Sequence, residues 1–252
     1  MAGGEGSRLR PVTCNLPKPM APLCGRPTLE YILDLLNTHG CKEARLTLQY
    51  LPQVICEHFS SSKYKGVKLL FVTEEEPLGT AGGVKNAAGG IHEEVLIISG
   101  DALCDFDLSA MMRYHKEKNA LVTLAAKRVD DPREYGLVLK NENGYITGFL
   151  EKPSFGQAFS DLANTGIYIL SPEALDLIDE GKKIDFAQHL FPAILAAGRK
   201  IAVFEADGYW CDIGDLKSYV SCQQDMLDGK VDCAIEGNCS DQPGVYVGRN
   251  VT

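Results

Sequence analysis

The residues that could do chemistry begin at the third position of this 252-residue chain. Gly3-Gly4-Glu5-Gly6-Ser7-Arg8-Leu9-Arg10-Pro11 is followed by Pro17-Lys18-Pro19. Gly3, Gly4, Gly6, Ser7, Arg8 and Lys18 fall within sixteen residues. Glycine has no Cβ, so its amides can curl around an anion and approach it closely. Arg8 and Lys18 add full positive charge beside that loop. The combination suits a triphosphate. It is not a Walker loop, because no Gly-Lys-Ser/Thr follows the glycines. It is a poor dinucleotide fingerprint, because Leu9 stands where G-x-G-x-x-G needs its last glycine.

Two aspartates could serve the same loop. Asp101 follows Ser99-Gly100 at the end of the apolar run Val95–Ser99, and Asp212 stands in Gly208-Tyr209-Trp210-Cys211-Asp212-Ile213-Gly214. Carboxylates at strand ends suit Mg²⁺, a hard cation that takes oxygen ligands and substrate phosphates. Asp107 reads instead as a helix cap. A second glycine-rich turn, Leu78-Gly79-Thr80-Ala81-Gly82-Gly83, would let a flat ring lie against backbone. Glu74, Glu75 and Glu76 precede it. A carboxylate there could accept two hydrogen bonds from the N1–H and exocyclic amine of guanine. Glu151-Lys152-Pro153 pairs a group that can bind sugar hydroxyls with one that can bind phosphate. Asn164-Thr165-Gly166 could add amide and hydroxyl contacts.

The elements that must position these groups alternate along the first half. Apolar spacing predicts helices over 28–37, 52–59, 80–88 and 108–118, with strands over 44–48, 68–72, 95–99 and 121–126. The run 95–99 reads as a central strand. This β-α-β alternation predicts an α/β fold, Rossmann-like, with a mixed, mostly parallel sheet and helices on both faces. Asn143-Gly144 marks a hairpin between strands 136–140 and 145–150. Further strands are expected over 163–170 and 201–205. Helices are expected from Pro172, over 186–197 and over 215–227.

Composition bounds the partners. The length suits one α/β domain with an appendage. A net charge of -9 argues against nonspecific nucleic-acid binding. No apolar run is long enough to span a membrane. Nine cysteines, none in C-x-x-C spacing, read as reduced thiols in a cytoplasmic protein. The five histidines are scattered and form no metal pattern.

Both ends are unusual for such a fold. A phosphate loop should follow a strand, yet only Met1-Ala2 precede it, so the expectation is that either a first strand is missing or Met1 is not the natural start. Gly244-Val245-Tyr246-Val247-Gly248 resembles the opening of a hexapeptide-repeat β-helix. The expected division is a catalytic domain over 1–225, then a linker and a first left-handed β-helix turn over 226–252.

Seven motifs occur together in a family's order: Gly-Gly-x-Gly-Ser-Arg-Leu-x-Pro with Pro-Lys-Pro, Leu-Gly-Thr-Ala-Gly, Ser-Gly-Asp, Tyr-Gly, Glu-Lys-Pro, Asn-Thr-Gly and Trp-x-Asp-Ile-Gly. The chain resembles the sugar-1-phosphate nucleotidylyltransferases over residues 1 to 225, and most of all their mannose-1-phosphate guanylyltransferase branch. The resemblance implies a nucleotide-diphospho-sugar transferase fold. It implies that Gly3, Gly4, Gly6, Ser7 and Arg8 hold the triphosphate, and that Glu74, Gly79 and Thr80 complete the nucleotide site. Arg8, Lys18 and Asp101 would be catalytic, and Asp101 and Asp212 would bind Mg²⁺. Gly136, Glu151, Lys152, Asn164 and Thr165 would line the sugar-phosphate pocket. The partners implied are GTP and a hexose 1-phosphate, with self-association into a homo-oligomer as a further expectation. Glucose-1-phosphate thymidylyl- or uridylyltransfer, a catalytically silent regulatory relative and a Rossmann oxidoreductase are the competing readings.

Overall fold

The computed structural model describes residues 1–151, 160–242 and 244–248. They fall into two compact units, each assembled from separate stretches of chain. The first comprises Met1, Glu74–Ser99 and Asp107–Asp207. The second comprises Ala2–Thr73, Gly100–Phe106 and Gly208–Thr252.

The first unit is built on a six-stranded sheet. Its strands run in the order Ile146–Glu151, Gly136–Lys140, Leu162–Leu170, Val122–Arg128, Ile201–Glu205, with Val95–Ile97 also paired to Leu162–Leu170. The expectation of a mostly parallel sheet is corrected here. Among the described residues of this sheet only Ile201–Glu205 runs parallel to its neighbour Val122–Arg128; the other pairs are antiparallel. The reason is local. The Asn143-Gly144 turn joins two adjacent strands, and strands joined by so short a turn must be antiparallel. Gly144 takes φ 79°, and the Asn141 side chain accepts from the amides of Asn143 (3.1 Å) and Tyr145 (3.0 Å). The run at 95 is also not central in the described pairing. It is a three-residue strand hydrogen-bonded to Tyr168–Leu170.

The core of this unit is the apolar face that the sheet presents to its helices. Val122, Leu124, Leu170, Phe186, Phe191 and Ile201 are buried in one cluster. The helix Leu108–Lys118 opens on Asp107, whose carboxylate accepts from the Ala110 amide at 2.8 Å, and closes on Asn119 in the left-handed region. The expected helix over 186–197 is in two parts, a π-turn Phe186–Leu190 and an α-helix Phe191–Ala196. Pro192 sits in the first turn of the second part. It has no N–H to return to residue 188 and its ring crowds that carbonyl, so the preceding turn widens.

The second unit carries the parallel strands Glu43–Leu48 and Val67–Thr73, with Lys63–Tyr64 antiparallel at the edge. A separate antiparallel pair joins Ala102–Cys104 to Trp210–Asp212. The helix Leu216–Leu227 starts with a capping box, Asp215 and Ser218 each bonding the other's backbone. Leu9, Leu23, Tyr31, Leu103, Ile213, Cys222 and Met226 form its buried cluster. The expected first turn of a β-helix is not confirmed. At that place Asn238–Cys239 and Tyr246–Val247 form a short antiparallel ribbon, whereas stacked coils pair in parallel. No helix of the described residues is long and apolar enough to cross a membrane.

Two stability tests follow from this packing. Leu124 is fully buried, so Leu124→Ala is expected to cost about 3 kcal/mol in urea unfolding. His115 is also buried, with Nδ1 2.8 Å from the Thr123 hydroxyl. Burial lowers its pKa below the ordinary value. The unfolded chain therefore takes up this proton first on acidification. The contribution is full above the unfolded value, about 6.5, and is lost as pH falls through it toward the lower folded value. His115→Gln is expected to flatten the stability profile in that window.

Candidate active site

The glycine loop belongs to the second unit and is braced from below. Gly6 holds φ 69° and opens the short 3-10 turn Ser7–Leu9. Leu9 is fully buried and anchors that turn in the core. Thr13 donates its hydroxyl to the Gly6 carbonyl at 2.6 Å, and the Lys18 amide donates to the Gly4 carbonyl at 3.1 Å. A Cβ on Gly6 would stand 3.0 Å from the Lys18 Cβ and 3.1 Å from the Thr13 Cγ2. The loop thus needs glycine twice, for its left-handed backbone and for the lysine stem against it. Gly4, Ser7 and Arg8 remain exposed, while Lys18 is 9% exposed.

The two aspartates arrive from opposite sides of one antiparallel pair. Asp212 lies opposite Ala102, and the Ile213 amide donates to the Asp101 carbonyl at 3.1 Å. Their carboxylates therefore stand at neighbouring strand ends. Lys18 Nζ reaches both, at 2.6 Å from Asp101 Oδ2 and 3.5 Å from Asp212 Oδ1. Arg8 comes to the same place. A Cβ on Gly214 would lie 3.3 Å from Asp212 Oδ2 and 3.5 Å from an Arg8 terminal nitrogen. The Asp212 carboxyl is raised above the usual carboxylate range. Burial is the main cause and Asp101 adds to it, against the opposing pull of Lys18 and Arg8. Arg8, Lys18, Asp101 and Asp212 thus share one small volume with the glycine loop.

Asp101 and Asp212 fit a divalent ion by their donor chemistry. Both are hard oxygen donors and partly exposed, and the lysine ammonium shows that a cation is accepted between them. Among the described residues no group of three or more His, Cys, Asp or Glu side chains could hold a metal. The protein would supply two carboxylates, leaving the other positions to phosphate and water, the usual pattern for Mg²⁺.

The remaining expected residues lie in the first unit. Glu74 accepts from the Leu78 amide at 3.1 Å, and its carboxylate lies over the space that a Cβ on Gly83 would take. Gly79 holds φ 72° against the Ile184 carbonyl. Thr80 is committed to structure, its amide and hydroxyl both donating to Asp185 at 3.1 and 3.2 Å. Glu151 pairs across the hairpin with Gly136, where a Cβ would meet its carboxylate at 3.0 Å. Ala163 pairs with Leu137, so one step further along that register Asn164 stands beside Gly136. Glu151, Gly136 and Asn164 therefore form a row across three strands. Thr165, next in the strand, is buried and donates its hydroxyl to the Ala125 carbonyl at 2.7 Å. Lys152 lies outside the described residues.

Sequence reasoning gave no role to Gly214, Thr13 or Asp185. Gly214 carried a signal, as the closing residue of Trp-x-Asp-Ile-Gly. Thr13 and Asp185 carried none, because their contacts depend on how loops return.

A family model described as nucleotidyl transferase matches residues 1–229. The chain belongs to the nucleotidyl transferase family. Family members similar to it include the UTP–glucose-1-phosphate uridylyltransferase of Synechocystis, 33% identical over 267 residues, covering 100% of this chain and 68% of the relative. Another is the mannose-1-phosphate guanylyltransferase of Mycobacterium tuberculosis, 35% identical over 231 residues, covering 91% of this chain and 64% of the relative. This nucleotidyl transferase chain thus spans roughly two thirds of the length of the curated relatives it matches. A crystal structure of HddC from Yersinia pseudotuberculosis complexed with GMP-PN superposes with a TM-score of 0.78. It is 27% identical and covers 89% of this chain and 96% of its own. The shared fold is a mixed α/β one.

The loop geometry sets a test. Gly6→Ala places a side chain at φ 69° against Lys18. It is expected to cost about 1–2 kcal/mol from the left-handed backbone alone, read by thermal or urea unfolding.

Proposed function

We propose that this chain is the nucleotidyl-transferring part of a sugar-1-phosphate nucleotidylyltransferase, and that its substrates are GTP and mannose 1-phosphate. The observation that carries the reading is the convergence of Arg8 and Lys18 on Asp101 and Asp212 beside an exposed glycine loop.

The reaction is a displacement at phosphorus. A phosphate oxygen of the hexose 1-phosphate forms a bond to the α-phosphorus. The bond from the α-phosphorus to the oxygen bridging it to the β-phosphorus breaks, and pyrophosphate leaves. The nucleophile is already an anion at neutral pH, so no general base is needed. The obstacle is the repulsion between two anionic substrates. The glycine-loop amides and Ser7 are assigned to the triphosphate, Arg8 to the leaving pyrophosphate and Lys18 to the α-phosphoryl oxygens. Charge fixed in place before reaction stabilises the charge that shifts during it. Holding the reactants in line supplies further acceleration. Asp101 and Asp212 would hold Mg²⁺, which supplies charge neutralisation on phosphate oxygens when bound.

Base choice is assigned to Glu74, with Gly79 beside it. Guanine offers two donors on one edge, N1–H and the exocyclic amine, to a carboxylate; uracil offers one. Glu151, Gly136 and Asn164 are assigned to the sugar phosphate, with Lys152, which follows Glu151 in sequence. The second reading, UTP with glucose 1-phosphate, is favoured by the Synechocystis relative that aligns over the whole chain.

The test is pyrophosphate release with GTP, UTP, dTTP and ATP against mannose and glucose 1-phosphates. GTP with mannose 1-phosphate is expected to be fastest, and a preference for UTP with glucose 1-phosphate would install the second reading. Glu74→Gln is expected to narrow the GTP preference. Arg8→Ala is expected to lower kcat about 100-fold or more, with smaller changes in KM. Near-normal turnover of that variant would remove Arg8 from the machinery.

A further inference from the structure

The cation position between Asp101 and Asp212 is taken by the protein's own lysine. Lys18 Nζ lies 2.6 Å from one carboxylate and 3.5 Å from the other. Its side chain is only 10% exposed, whereas the aspartate side chains are 32% and 37% exposed. The lysine is also held at its root. Its amide bonds to Gly4, its Cβ packs on Gly6, and the turn Lys18–Met20 is buried throughout. The ammonium is thus an installed counter-ion, not a surface side chain passing by.

Two consequences follow from charge alone. A divalent ion brought to these carboxylates meets a positive charge already within contact distance of both, and like charges at such spacing repel strongly where water is partly excluded. With the two carboxylates set against the Lys18 ammonium and the Arg8 guanidinium in the same volume, the site offers no net negative protein charge to a hard dication that keeps its hydration shell. A triphosphate changes that balance. Its oxygens offer the ammonium a competing partner and offer the metal further ligands.

We infer that Lys18 acts as an internal gate on metal binding: it blocks the Asp101–Asp212 site in the free protein and yields it only when a nucleoside triphosphate draws the ammonium away. This inference rests on the proposed assignment of the metal to those aspartates. It makes metal and triphosphate binding mutually dependent, so that the free protein carries no tightly held divalent ion. Lys18 then has two positions, on the carboxylates in the free protein and on phosphate in the complex.

The test is direct metal binding, with no turnover involved. Mn²⁺ serves as the probe, followed by electron paramagnetic resonance on the nucleotide-free chain. Lys18→Met keeps an apolar stem of similar length and removes the charge. It is expected to bind one Mn²⁺ at least tenfold more tightly than the unmodified chain. Lys18→Arg keeps the charge and is expected to stay weak. Lys18→Gln is a second neutral variant, expected to behave as Lys18→Met, and far-UV circular dichroism shows which of the two is folded. Equal Mn²⁺ affinity in the unmodified and neutral chains overturns the gate while leaving the metal site standing. Asp101→Asn and Asp212→Asn separate the other failure. If neither alters Mn²⁺ binding in the presence of a non-hydrolysable GTP analogue, the metal assignment itself falls and the gate with it.

Discussion

The ion pairing of Lys18 with Asp101 and Asp212 is the constraint on which the second unit's site depends. It joins three stretches of chain that are remote in sequence, and each is placed by different physics. Lys18 is placed by a glycine loop that leaves room for its stem. Asp101 and Asp212 are placed by a strand pair only three residues long on each side. Behind them, Leu9, Leu103 and Ile213 are fully buried in one cluster, so the residues next to the loop and to both aspartates fix the backbone that carries them. A partly buried ion pair of this kind is poor evidence for stability, because desolvating the charges opposes their attraction. The raised Asp212 carboxyl expresses that cost. Under the proposed assignment the pair is charge held ready for an anionic substrate.

Much of this was legible in the sequence where the signals are local. Asp107 as a cap, the Asn143-Gly144 turn and the strand Ile201–Glu205 follow from side-chain chemistry within a few residues. The seven ordered motifs marked Arg8, Lys18, Asp101 and Asp212, and the structure brings those four together. What the sequence concealed is relational. The sheet's direction depended on which strand Leu162–Leu170 chose as neighbour, and apolar periodicity is blind to that choice. The short strand at Val95 looked central because it is the most apolar run, yet it spends its pairing on Tyr168–Leu170.

The threonines show how motif membership and availability part. Thr80 and Thr165 both sit in glycine-containing motifs, yet Thr80 ties its loop to Asp185 and Thr165 ties its strand to Ala125. Both stiffen the backbone that presents their neighbours, Gly79 and Asn164. Their hydroxyl hydrogens are already donated to the protein, which leaves these oxygens only an acceptor's role. Hydrogen-bond partners of this kind come from chain segments that no local pattern announces.

The Lys18 ammonium is fixed on Asp101 and Asp212 in the free protein. Nitrogen-15 NMR of the lysine side chains reads this directly. A Lys18 ammonium resonance with slowed hydrogen exchange is expected, shifted by Asp101→Asn and lost in Lys18→Met. If every lysine ammonium exchanges as fast as a solvent-exposed one, Lys18 is not held on these carboxylates.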